Sequence, residues 1–121
     1  MPKILIVHDN RIILNLLLKE LTQDNLQVVT LNTIEMFWEY IRTNRPDLVL
    51  LGLHSESFDS WQVLDEIKKN IPNLPVLIYS IKSDHSISCL KEAINEVLKN
   101  RSISSAFMFH AYRKPKYDRS E

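Results

Sequence analysis

Glycine is nearly absent: the 121-residue chain carries one, Gly52, where a domain of this size ordinarily has several. Its turns must then be built by Asn, Asp, Ser and Pro, which bond or preset the local backbone. Cysteine is as scarce. A lone Cys89 excludes an internal disulfide and suits a reducing compartment. His85 and Ser86 beside it supply no oriented base for nucleophilic chemistry, so an inert, partly buried thiol is expected. Net charge is missing too: fifteen basic and fifteen acidic side chains cancel, and no overall field draws the chain to nucleic acid or an anionic membrane. No apolar run approaches a membrane span, and the short run after Pro2-Lys3 is too brief for a signal peptide. These absences together predict a soluble cytoplasmic protein.

What is present is ordinary globular material, 45% apolar and 25% charged, enough for one domain with its own core. Ile4-Leu5-Ile6-Val7 is a short apolar run ending in His8-Asp9-Asn10, the pattern of a fully buried strand. A helix is predicted over residues 11–23, with Ile13, Leu16, Leu17 and Leu21 inward and Asn10 or Asp9 as its cap. Residues 26–31 (LQVVTL) form the second strand. Asn32 with Glu35 resembles a capping box for a helix burying Ile34, Phe37, Trp38 and Ile41.

Residues 47–53 (DLVLLGL) make a third strand, followed by the polar loop 54–60 and a helix with Val63, Leu64, Ile67 and Ile71 inward. Residues 75–80 (PVLIYS) give a fourth strand, and Ile87, Leu90, Ile94, Val97 and Leu98 keep helical spacing after a cap at Asp84 or Ser86. Apolar strands alternating with amphipathic helices predict an α/β fold, a parallel sheet with helices on both faces and right-handed crossovers. The domain is placed at residues 1–112 and a polar tail at 113–121, with four basic and two acidic side chains.

Three segments resemble the receiver domain of bacterial two-component response regulators. Residues 2–10 (PKILIVHDN) look like the family's "kILiVDDe" opening, residues 46–53 (PDLVLLGL) like its "PDLvllDl" strand, and residues 74–80 (LPVLIYS) like its "lPvi.lTa" strand. The resemblance implies a flavodoxin-like three-layer sandwich with strand order 2-1-3-4-5, its site beyond the carboxyl ends of the strands. It also implies phosphoryl transfer to an aspartate ending the third strand, beside a divalent cation held by acidic residues. A hydroxyl from the fourth strand and a lysine from the fifth would hold the phosphoryl oxygens.

Several of these positions depart from the family. Gly52 stands at the phosphoacceptor position and has no nucleophile. His8 and Asn10 replace acids, so Asp9 is the one carboxylate left of the trio and the lone candidate metal ligand, a poor set for Mg²⁺. Ser80 matches the hydroxyl. In the following loop Glu56 stands for the usual proline and Ser60 for the closing glycine. Lys114-Pro115 carries the lysine signature, but farther from Ser80 than in the family.

Two assignments of the closing segment are open. In the favoured one, the fourth helix is lengthened, residues 106–112 (AFMFHAY) form the fifth strand, and the last helix is atypical or missing. In the other, residues 89–98 are the family's last helix, and the preceding helix and strand are deleted.

The function that follows is a degenerate receiver acting in signal transduction by protein–protein contact, without a phosphorylation cycle, a catalytic role or a cofactor. Its vestigial pocket would be His8, Asp9, Asn10, Gly52, Ser80 and Lys114. By resemblance, the partner surface would include Ile87, Leu90, Phe107, Phe109 and Tyr112, facing a kinase, an output domain or a second copy of the chain. Phe58, Trp61 and Tyr79 fit a partner surface and a core equally well. One alternative is phosphotransfer through a displaced carboxylate, Asp59 or Glu56; another is dimerisation of a longer transcriptional regulator. A rim of His8, Asp9, His54 and Glu56 would suit a transition metal better than Mg²⁺. The basic tail is expected to be solvated, with no direct nucleic-acid contact and no membrane contact.

Overall fold

The computed structural model describes residues 1–53, 56–81 and 87–99 and the backbone of 84–86 and 108–109. Its elements are β1 (Lys3–Val7), α1 (Arg11–Thr22), β2 (Gln27–Leu31), α2 (Ile34–Ile41), β3 (Leu48–Gly52), α3 (Ser60–Asn70), β4 (Val76–Tyr79), α4 (Asp84–Lys99) and β5 (Met108–Phe109). The sheet is wholly parallel in the order β2-β1-β3-β4-β5, as the resemblance implies. No helix among the described residues is long and apolar enough to cross a membrane. Residues 54–55, 82–83, 100–107 and 110–121, with Lys114, Phe107 and Tyr112, lie outside the described residues.

Strand alternation splits the core in two. Ile4, Ile6, Leu48, Leu50, Leu77 and Tyr79 point to one face and pack against α1 and α4. Leu5, Val7, Val49, Leu51, Val76 and Ile78 point to the other and pack against α2 and α3. Both faces of β1, β3 and β4 are covered, which is why their sequences are continuously apolar rather than alternating.

The local chemistry follows the sequence with small shifts. Asn10 caps α1, its carboxamide oxygen accepting from the N–H groups of Ile12 (2.9 Å) and Ile13 (3.2 Å). The inward face of α1 is Leu14, Leu17 and Leu21, so Leu14 takes the place expected for Leu16. Thr33, not Asn32, caps α2 by accepting from Met36 N–H at 3.1 Å. After α1 the left-handed turn is taken by Asn25, at φ 64°, a residue type that tolerates that region where glycine is scarce.

The closing segment corrects both assignments in part. Met108–Phe109, within the segment predicted as a fifth strand, pairs in parallel with Val76 and Leu77. Yet α4 lies on the α1 face, with Leu90, Ala93, Ile94 and Val97 in the same cluster as Leu14, Leu17 and Leu21. Lys91 Nζ also reaches Glu20 Oε1 and Asp24 Oδ2, each at 3.4 Å. A right-handed crossover from β4 to a strand beside it would carry its helix over the α2–α3 face. The helix goes to the other face because α1 alone would leave Leu48, Leu50, Leu77 and Tyr79 uncovered. In that respect α4 serves as a closing helix.

Candidate functional site

The polar residues of interest follow the carboxyl ends of β1 and β3, neighbours in the sheet, where Val7 pairs with Leu51. His8 continues β1 on the same face as Ile4 and Ile6 and is 5% exposed. Gly52, the last residue of β3, lies on that face too. Its φ is not positive, so backbone conformation does not demand glycine there. Space does. A Cβ built on Gly52 falls inside the His8 imidazole, 2.5 Å from Cγ and 2.6 Å from Nε2, and closer still to Cδ2. The ring of His8 fills the volume into which a side chain at 52 would project.

His8 is held there by hydrogen bonds on the neutral ring. Its Nδ1 accepts from the Asn10 N–H at 2.9 Å. Burial lowers its pKa below the usual 6.5, against opposing effects of the Asp9 carboxylate and of a hydrogen bond with the Leu53 backbone. The 3.5 Å approach of Nδ1 to Asp9 Oδ1 would be an ion pair only if Nδ1 carried a proton. Since Nδ1 accepts the Asn10 N–H and burial disfavours the cation, the neutral form prevails. Tyr79 packs beside the ring at a centroid distance of 6.1 Å and a tilt of 40°.

Asp9 has a different task from the one the resemblance implies. Its Oδ2 accepts from the N–H groups of Glu56 (2.9 Å) and Ser57 (3.0 Å), fastening the loop after β3 to the end of β1. Among the described residues no group of three or more His, Cys, Asp and Glu side chains is placed to hold a metal ion. The rim of His8, Asp9, His54 and Glu56 is not supported on the His8 side, because its Nδ1 is engaged and the ring is buried; His54 lies outside the described residues.

The structure places the other sequence-derived candidates as follows. Asn10 is spent on capping α1. Ser80 is half-buried just past β4. Asp59 caps α3, its Oδ1 accepting from Trp61 N–H (3.0 Å) and Gln62 N–H (3.4 Å), while Glu56 is exposed. The partner surface needs correction: Leu90 is fully buried, turned into the core by the docking of α4 on the α1 face, and Ile87 is only 9% exposed. Tyr79 is likewise core rather than surface, and Phe58 and Trp61 are half-buried against the α2–α3 cluster. For Phe109 the strand position is described and the side chain is not.

Two residues have roles that their place in the sequence did not announce. Ser60, standing where the family has a glycine, is buried and donates its hydroxyl to the Gly52 carbonyl at 2.5 Å. The signal was available, a small polar residue at the first position of a helix eight residues after the strand end, but it pointed equally to a turn. Tyr79 buries its hydroxyl without a hydrogen-bond partner among the described residues, and burial raises its pKa far above the ordinary value. Nothing in a tyrosine that closes an apolar strand announces that orphan.

Residues 4–104 match the family model of the response regulator receiver domain. The chain belongs to that family. Solved receiver structures share its fold. One is a CheY-like receiver domain protein from Methanospirillum hungatei, with TM-score 0.71 and 19% identity over 84% of this chain and 97% of that one. A second is the complex of histidine kinase ThkA with the response regulator TrrA of Thermotoga maritima, with TM-score 0.72 and 21% identity over 81% of this chain and 99% of the matched chain. A third is a receiver domain protein from Clostridium thermocellum, with TM-score 0.64 and 26% identity over 95% and 83%. Among curated proteins no sequence matches. As a receiver domain the chain is a module of two-component signalling.

Proposed function

We propose that this receiver domain is a pseudo-receiver, signalling by contact with another protein and carrying no phosphoryl group at the end of β3. The observation that supports it most is the His8 imidazole seated where a side chain at position 52 would stand. A nucleophile at 52 is missing, and its space is taken. The reading gains further support from Asp9 and Asn10, which spend their side chains on the β3–α3 loop and on the start of α1. Dense negative charge, which Mg²⁺ requires of a phosphotransfer site, is not assembled by these groups.

The partner class is a protein. A similar solved receiver is bound to a histidine kinase, and a kinase is a candidate here alongside an output domain or a second copy of the chain. The rival in which Asp59 replaces the missing carboxylate has less support, because its Oδ1 is committed to the start of α3.

An amide-shift titration with beryllofluoride and Mg²⁺, a stable mimic of the acyl phosphate, tests the proposal. The native chain is expected to stay silent. The double variant H8D/G52D, which restores carboxylates and vacates the ring's volume, is the positive control. A saturable response of the native chain centred on His8, Asp9 and Ser80 would overturn the proposal.

A further inference from the structure

The connections of the sheet do not all have one hand. From β1 to β2 the chain moves one way across the sheet with α1 on one face. From β2 to β3 and from β3 to β4 it moves the other way with α2 and α3 on the opposite face. Those three crossovers share a hand. From β4 to β5 the chain again moves as it does from β3 to β4, yet α4 lies on the α1 face. Within one chain the β4–α4–β5 crossover therefore has the opposite hand, whereas about 98% of such connections are right-handed.

The open edge of β4 nonetheless requires cover. All four of its residues are buried, Leu77 and Ile78 completely. An apolar, doubly covered strand with unpaired backbone groups along its edge is a template for another strand. Met108 and Phe109 meet that need at Val76 and Leu77. The same parallel pairing is free of the disfavoured crossover if the strand comes from a second molecule, because α4 of one chain then imposes no hand on the β5 that its partner receives.

We propose that two copies of this chain associate by exchanging β5, each donating its Met108–Phe109 segment to the β4 edge of the other. The occupant of the edge is thus a named segment of the same sequence. Eight residues, 100–107, separate the end of α4 from β5, and a fully extended stretch of that length spans roughly 26–29 Å. Exchange then requires the neighbour's β4 edge to lie within that span of the end of α4. Exchange of an identical element is a low-cost route to a dimer, since the native pairing is reused. This association does not rest on the loss of phosphorylation, and it is read out by mass and cross-linking rather than by a beryllofluoride response.

The test uses the full chain. Sedimentation across a concentration series is expected to give the mass of a dimer, and M108P/F109P, which removes the strand's N–H donors, to give that of a monomer. Two further variants, C89S/V76C and C89S/M108C, are refolded together and oxidised. A covalent dimer joining one of each is expected, because positions 76 and 108 are register partners. A monomeric native chain overturns the proposal, as does a dimer that survives M108P/F109P. Closure within a single C89S/V76C/M108C chain, with no mixed dimer, overturns it too.

Discussion

The imidazole of His8 occupies the place of the side chain that Gly52 lacks: a Cβ at position 52 would lie 2.5 Å from His8 Cγ. The two positions belong to neighbouring parallel strands, and their residue types are complementary in volume. An acid at position 52 would need the His8 ring to move or to be replaced by a smaller side chain.

Gly52→Ala is therefore expected to destabilise the fold by about 1–3 kcal/mol, the usual cost of overpacking a close-packed interior. The added methyl has no strained φ to blame, so the cost should depend on the ring. In a His8→Ala background the same substitution should cost less than about 0.5 kcal/mol. Urea unfolding of the four variants of this cycle measures the coupling.

Stability should fall as pH drops below about 6.5. The folded state keeps His8 neutral by burial, with its pKa below the unfolded value of 6.5. As pH falls through 6.5 the unfolded chain gains a proton that the folded chain refuses, and the balance shifts toward unfolding until the lower folded pKa is reached. Above that window both states are neutral at His8 and its contribution is flat. His8→Asn can still accept the Asn10 N–H and does not titrate, so this part of the slope should vanish in equilibrium unfolding followed from pH 8 to 5.

Asp9→Ala should release the loop after β3. It removes an ionised acceptor shared by the Glu56 and Ser57 N–H groups. Because the carboxylate is partly exposed, the loss is put at about 1–2 kcal/mol. Hydrogen exchange at those two amides should then accelerate roughly five- to thirtyfold, with little change in the strands. Equal acceleration throughout the sheet would instead mean that Asp9 supports the whole fold.

Leu90→Ala should act on stability before it acts on any partner. Leu90 is fully buried between α4 and the sheet, and truncating such a leucine costs about 2–5 kcal/mol. Lys91→Ala, which removes two partly exposed ion pairs, should cost no more than about 1 kcal/mol and lose its effect in high salt. Thermal unfolding of both variants separates the packed side of α4 from its charged rim.

Much of this molecule was legible in its residue order. Apolar runs at residues 4–7, 48–51 and 76–79, separated by amphipathic helices, identify a parallel sheet covered on both faces, because strand burial and helical spacing are local and periodic. Gly52 at the end of β3 and Asn10 before α1 were visible for the same reason: each role depends on neighbours a few residues away. The rest is long-range. That His8 fills the Gly52 space depends on β1 and β3 lying side by side in one register, and that Asp9 ties down Glu56 and Ser57 depends on a contact across 47 and 48 residues. The burial of Leu90 was decided by which face of the sheet still needed a helix. Spacing shows that a helix has an apolar stripe, but only packing decides which surface the stripe covers.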